Sequence, residues 1–207
     1  LELCLDEGII AIDIVNSWQD LPLKERVRRA NILYEHSKKC IYVSVHSNGF
    51  SKEKAHGYSV YTSPGQTKSD KYADVLLSYM QYEFPDHKLR KDMSDSDLDK
   101  EAAFYVLRKT RMPAILSENF FMTNRKECKL LLTDDFRQRI ANCHFKMIKK
   151  IENGGKNSFK LPHRCIRGIN SCILRCNDLH GKGYYRRHVW MASYRIIIFT
   201  IKRFFNC

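Results

Sequence analysis

The chain has 207 residues, 36 Lys+Arg against 23 Asp+Glu, a formal net charge of +13 and eight cysteines. The length fits one domain, or one domain with an appendage, and 43% hydrophobic, 12% aromatic and 29% charged residues exclude a disordered composition. No uninterrupted apolar run approaches the roughly 20 residues that span a bilayer.

A charge of this size points towards nucleic acid or an anionic membrane. Its distribution weakens the pointer: +10 lies in Gly154–Cys207 and only +3 in Leu1–Asn153. The two parts also share the cysteines equally. Cys4, Cys40, Cys128 and Cys143 sit far apart in ordinary helix or strand patterns and read as buried free thiols. In the tail, Cys172-x3-Cys176 with His180 nearby is a poor match to a zinc-finger spacing.

The elements follow from periodicity. Gly8–Val15 is β-branched and reads as a strand entered from the end of a helix. A helix opens at Asp20-Leu-Pro-Leu, with Pro22 in its first turn, and runs to about Ser37. Cys40–His46 is a short apolar run typical of a buried parallel strand and ends in the turn signal Ser47-Asn48-Gly49. Tyr58–Thr62 is a further strand, closed by Ser63-Pro64-Gly65.

Apolar residues at Tyr72, Ala73, Leu76, Leu77 and Met80 predict a helix over Ser69–Gln81, with Ser69 as N-cap. Lys88–Lys100 reads as loop, Phe104–Arg108 as a strand, and Met112–Glu118 as a buried strand ending on a carboxylate. A long helix follows from Phe136 to about Ile151, with Ile140, Cys143, Met147 and Ile151 on one face. Strands alternating with helices predict an α/β domain with a mostly parallel central sheet flanked by helices, over residues 1–153. Residues 154–207 form a basic tail set off by the linker-like Gly154-Gly155-Lys-Asn-Ser158.

In such sheets, ligands bind beyond the carboxyl ends of the strands. His46 and Glu118 fall at two such ends. Taken singly, a histidine there is commonly a hydrogen-bonded structural residue, and a glutamate a salt-bridge partner or helix cap.

Their surroundings sharpen the reading. Leu23-x-x-Arg26-Val-x-x-Ala30-Asn31, then Val43-Ser-Val-His-Ser-Asn48, Gly57-Tyr-Ser-Val-Tyr61 and Val106–Asn124 with its Pro-Ala-Ile-Leu-Ser-Glu118 core occur in that order. Together they resemble the zinc-dependent N-acetylmuramoyl-L-alanine amidases of the amidase-3 family. The resemblance covers about Leu5 to Ile151. It implies hydrolysis of the amide joining N-acetylmuramic acid to L-alanine in peptidoglycan, with Zn2+ as cofactor. It also implies a cell-envelope location, periplasmic or extracellular, although no signal peptide is in view.

An amide carbonyl is a weak electrophile and neutral water a weak nucleophile. Zinc with an open coordination position polarises the first and acidifies the second, while a carboxylate shuttles the proton. By resemblance His46 is a zinc ligand and Glu118 the catalytic acid/base. Asn48 and Asn124 shape the surrounding loops.

The chain departs from the family pattern at its front. The family's second zinc histidine, in a Gly-His-Gly-Gly segment, and its zinc glutamate have no counterpart here. Glu2 stands too close to Gly8 to be that glutamate and reads as a solvated helix residue. His36, His56, His87 and His144 match no family position and read as surface residues. The chain therefore looks like an amidase domain lacking its first strand, with weak zinc binding, impaired activity and an unpaired sheet edge expected.

The tail has no family counterpart. Ile196–Ile201, flanked by Arg195, Lys202 and Arg203, is too short to span a membrane but suits an anionic membrane surface. The tail also reads as a segment without a selected function. A rival reading of the whole chain is a non-catalytic peptidoglycan binder on a decayed amidase fold.

Overall fold

The computed structural model describes residues 1–15, 20–94, 97–154 and 196–201. The chain enters through a short helix, α1 (Glu2–Asp6), which stops at Gly8. Gly8 takes a φ of 73°, while its N–H bonds to the Leu5 carbonyl and the Ile9 N–H to that of Cys4. This left-handed cap satisfies the last helical carbonyls and turns the chain into the first strand, β1 (Ile10–Asp13).

Helix α2 (Leu23–His36) begins after Pro22, as the sequence predicts. Arg26 is buried in its first turn, donating from Nε to the Leu21 carbonyl at 2.8 Å and pairing with Asp20. Asn31, further along, accepts from the Arg111 N–H at 2.9 Å and donates to the Lys109 carbonyl at 3.0 Å. These bonds give the Arg26-to-Asn31 motif a concrete task. It holds α2 at both the entry loop and the loop that leads to the later strand at Glu118.

Strand β2 (Cys40–Asn48) follows, then β3 (Ser59–Thr62) and α3 (Asp70–Glu83). Ser69 is the N-cap of α3, but its side chain does not cap the helix; Oγ accepts from the Ala114 N–H at 3.0 Å. A two-residue strand, β4 (Lys100–Glu101), precedes a short helix, α4 (Tyr105–Lys109). The predicted strand at Phe104–Arg108 is thus corrected to helix. Adjacent Val106 and Leu107 are both buried, which an alternating two-sided strand does not do, and the Thr110 hydroxyl closes the turn on the Val106 carbonyl at 2.8 Å.

Strand β5 (Ala114–Phe121) leads into α5 (Arg125–Leu131) and the long α6 (Asp134–Gly154). The last element among the described residues is β6 (Ile196–Ile201). The six strands form one sheet in the order β1-β6-β2-β5-β3-β4. The strands β1, β6, β2 and β5 run parallel; β3 is antiparallel to β5.

Two apolar layers enclose the sheet. On one face α3 and α6 bring Leu76, Leu77, Met80, Ile140, Met147 and Ile148 onto Ile41, Val43 and Ile115. On the other, α2 and α4 bring Val27, Ala30, Leu33, Val106 and Leu107 onto Ile12, Tyr42 and Leu116. The α/β sheet flanked by helices is the one the sequence predicts.

Strand β6 lies inside the sheet and leaves β1 at its end in the strand order. It pairs in register with β1 (Ile10 beside Ile196) and β2 (Cys40 beside Ile196), so these two strands are bridged through it. Ile197 and Phe199 enter one apolar layer and Ile198 the other. A segment apolar on both faces suits an interior parallel strand, and these three side chains are buried in the sheet rather than displayed to a membrane surface. The rest of the tail lies outside the described residues. So do its four cysteines; of the body thiols, Cys4, Cys40 and Cys143 are buried and free, and Cys128 is half-buried.

Asp99 is a buried carboxylate beside β3. Burial pushes its carboxyl up from 3.8 to about 7; the bond from the Thr62 hydroxyl at 2.7 Å opposes this, and Asp97, Asp70 and Asp74 add to it. Between these values the folded state keeps a proton that the unfolded chain releases, so this group makes stability fall as pH rises through that window. Asp99→Asn is expected to gain stability relative to the native chain as pH rises from about 4 to about 7. Urea denaturation across that range measures it, and a constant difference between the two proteins would refute the assignment.

Candidate active site

The carboxyl ends of β2 and β5 carry the two residues singled out in the sequence. His46 and Glu118 are register partners on adjacent parallel strands, so their side chains leave the sheet on the same face. Both are half-buried. On the far side of Glu118, Ser59 of β3 is its antiparallel partner. Ser59, Glu118 and His46 thus form a polar row across three strands. The Ser59 hydroxyl is buried with no hydrogen-bond partner among the described residues. The His46 Nε2 lies 2.8 Å from the Ser44 hydroxyl, two residues back on the same face.

Just past this row the ladder slips. His46 pairs with Glu118, but Asn48 pairs with Phe121, so β5 carries one extra residue. Such a bulge bends the strand and re-aims its side chains. The geometry is forced at Phe120, whose φ of 63° is costly for a bulky residue, on the order of 1–3 kcal/mol. Phe120 is wholly buried, and its ring packs 4.8 Å from Phe136, 5.1 Å from His87 and 5.2 Å from Phe84, centroid to centroid. Aromatic packing of this extent offsets the strained backbone.

A buried carboxylate fastens the other end of the bulge. Glu127, in the first turn of α5, accepts from the Phe121 N–H and from the Gly57 N–H, each at 2.8 Å. Gly57 must be glycine: its φ is 100°, and a Cβ there would meet the Lys88 carbonyl at 2.1 Å. The Asn124 side chain caps α5, accepting from the N–H groups of Lys126 and Glu127 at 3.1 Å, and donates to the Glu53 carbonyl at 2.9 Å. Glu127 was not among the sequence candidates. Its signal was the Asn124-x-x-Glu127 spacing, the pattern of a helix start.

On the opposite face of the sheet, under α6, a cavity of about 540 Å³ is bordered by Val45, His46, Ser47, Asn119, His144 and Phe199. His144 corrects the sequence expectation of a surface residue: it is buried, with Nδ1 2.9 Å from the Ile140 carbonyl and Nε2 2.8 Å from the Ser117 hydroxyl. Burial holds its imidazole below the usual histidine range, against the opposing Ile140 bond. A polar residue on the buried stripe of α6 is tolerated because both ring nitrogens find partners. His36 and His56 are exposed and His87 is half-buried, while Glu2 is exposed on α1.

Among the described residues, no three His, Cys, Asp or Glu side chains converge as a metal-binding group. Catalytic zinc sites use three protein donors and one open position. His46 beside Glu118 does not meet that requirement, so the described donors do not fit a catalytic zinc.

Comparison with known proteins places this geometry. The family of N-acetylmuramoyl-L-alanine amidases, amidase-3, matches residues 6–150, and the chain belongs to it. It is 32% identical over 184 residues to the endolysin of Bacillus phage SPP1, an alignment covering 84% of this chain and 63% of the endolysin. It is 29% identical over 163 residues to the N-acetylmuramoyl-L-alanine amidase AmiA of Salmonella typhimurium, covering 58% of this chain and 53% of AmiA. The chain therefore spans between half and two thirds of these relatives.

Among solved structures, the catalytic domain of CwlV, an amidase from Bacillus (Paenibacillus) polymyxa var. colistinus, superposes with a TM-score of 0.53 at 28% identity. That match covers 64% of this chain and 66% of CwlV. An amidase from Clostridium difficile 630 shares the fold, with a TM-score of 0.56 at 23% identity over 66% of this chain and 68% of its own.

Glu127→Ala leaves two buried backbone N–H groups without acceptors. The expected loss is about 2–4 kcal/mol of unfolding free energy, read by chemical denaturation. A loss below about 1 kcal/mol would show that water replaces the carboxylate without cost.

Proposed function

We propose that this chain hydrolyses the amide between N-acetylmuramic acid and L-alanine in peptidoglycan, as its family name describes. The observation that carries the reading is the register pairing of His46 with Glu118 at the strand ends of a domain matched by the amidase family. Glu118 is the proposed catalytic acid/base. Its half-buried carboxylate takes the proton of a water as the oxygen attacks the amide carbon, then delivers it to the departing alanine nitrogen. One proton is moved and no net charge is left behind. His46 borders the same row, and the Ser44 hydroxyl restrains its ring.

Zinc dependence belongs to this proposal through the family, with His46 as ligand. The described residues supply too few donors for that ion, so no step is assigned to it. The expected location is the cell envelope, periplasmic or extracellular, where peptidoglycan is found. Among the described residues no helix is long and apolar enough to cross a membrane.

Peptidoglycan digestion with the full chain tests the reading, scored by release of peptides with a free alanine amino terminus. Glu118→Gln is expected to lower turnover by about 10²–10⁴-fold while still sedimenting with insoluble peptidoglycan. Sedimentation of both proteins without turnover by either would identify a binder instead of an enzyme. Dialysis against trace zinc, followed by elemental analysis, checks the metal; stoichiometric retention that survives His46→Ala would remove His46 as a ligand.

A further inference from the structure

Three buried polar side chains stand directly behind the candidate row, and the chemistry above does not use them. His144 (α6), Ser117 and Asn119 (β5) are at most 5% exposed. Their donors and acceptors follow from the shortest contacts; the Ser44 carbonyl at 3.5 Å from Ser117 Oγ and the Ser117 carbonyl at 3.4 Å from Asn119 Nδ2 are the longer alternatives. The Ile140 carbonyl only accepts, so His144 Nδ1 is the donor there, and Nε2 of the neutral ring accepts from Ser117 O–H at 2.8 Å. With its hydrogen committed, Ser117 Oγ accepts from Asn119 Nδ2 at 3.0 Å. The remaining hydrogen of that amide reaches the His46 carbonyl at 2.9 Å. The chain of bonds runs unbroken from α6 to the backbone of the candidate ligand.

Its endpoint is the place where the β2–β5 ladder slips between His46 and Asn48. There the regular strand pairing that fixes His46 against Glu118 gives out, and the Asn119 amide takes over the His46 carbonyl. A shift of about 1 Å between two reacting groups can cost about 10²-fold in rate, so this bond has leverage.

We propose that His144, Ser117 and Asn119 form a positioning network that sets His46 against Glu118 by holding the His46 carbonyl across the bulge. The proposal rests on the amidase reading for its catalytic consequence, but its structural claim is separable from that reading. It assigns the three residues no contact with substrate. Neutral His144 is the anchor: its accepting Nε2 holds the Ser117 hydroxyl at 2.8 Å, closer than the Ser44 carbonyl at 3.5 Å, and leaves Oγ to receive the Asn119 amide.

The test uses the full chain and two readouts. Histidine-selective 15N NMR at fixed pH reports the ring environment of His46, assigned by its loss in His46→Gln. Peptidoglycan turnover reports kcat and KM. Asn119→Leu and His144→Leu are expected to displace the His46 ring resonances and lower kcat by about tenfold or more, with KM within about twofold. His144→Gln, whose side-chain oxygen can accept from Ser117, is expected to recover most of both effects.

Unchanged His46 resonances in both leucine variants would overturn the proposal, as would equal losses in His144→Leu and His144→Gln that merely follow their melting temperatures. If a leucine variant does not fold, Ser117→Ala, which removes one hydroxyl, carries the same comparison, with Ser117→Thr as its rescue. A native chain without turnover would defeat the amidase reading, and the His46 resonances would then decide the positioning claim alone.

Discussion

One extra residue in β5 organises the carboxyl end of the sheet. Parallel pairing with β2 brings His46 and Glu118 side by side, and the slip that follows ends the ladder immediately beyond them. A regular strand would continue and place further side chains over the row. The bulge instead turns the chain away at Phe120, leaving the two half-buried side chains at the end of the regular ladder. The cost is a left-handed phenylalanine, and the neighbouring elements are arranged to hold it.

Those elements act from different sides. An aromatic cluster of Phe84, His87, Phe120 and Phe136 grips the strained residue by packing. Glu127 grips the backbone on its carboxyl side by charge-assisted bonds, and Asn119 grips β2 on its amino side. Glu127 and His144 illustrate one rule: a buried polar group is tolerated when its bonding capacity is filled, and it then specifies a single arrangement more sharply than an apolar side chain. The two differ in how they stay buried. Glu127 is stabilised by two backbone donors, whereas His144 remains neutral under desolvation and shares its lone pair with a serine.

The interior of the sheet has a second unusual feature. A segment from the far end of the chain lies between β1 and β2 and contributes Ile197, Ile198 and Phe199 to both apolar layers. The match to the amidase family stops at residue 150, so this strand lies outside it. Hydrophobic demand explains the placement: two strands buried on both faces need an apolar neighbour, and a run of β-branched residues supplies one. Shape and hydrophobicity can satisfy the sheet there without any chemistry from the family's own motifs.

By itself, the sequence determined most of the helices and strands of the body, the mostly parallel sheet and the family, because these rest on local periodicity and on motifs whose spacing survives unfolding. His46 and Glu118 were legible as candidates from their place at the ends of two apolar runs. Only the tertiary structure decided that they are register partners, since pairing depends on where separate strands dock. It also made Val106 and Leu107 helical, buried His144 and gave Glu127 its backbone partners, through contacts between residues distant in sequence. The same reason accounts for β6: no local pattern separates an apolar strand that lies on a surface from one that completes a sheet.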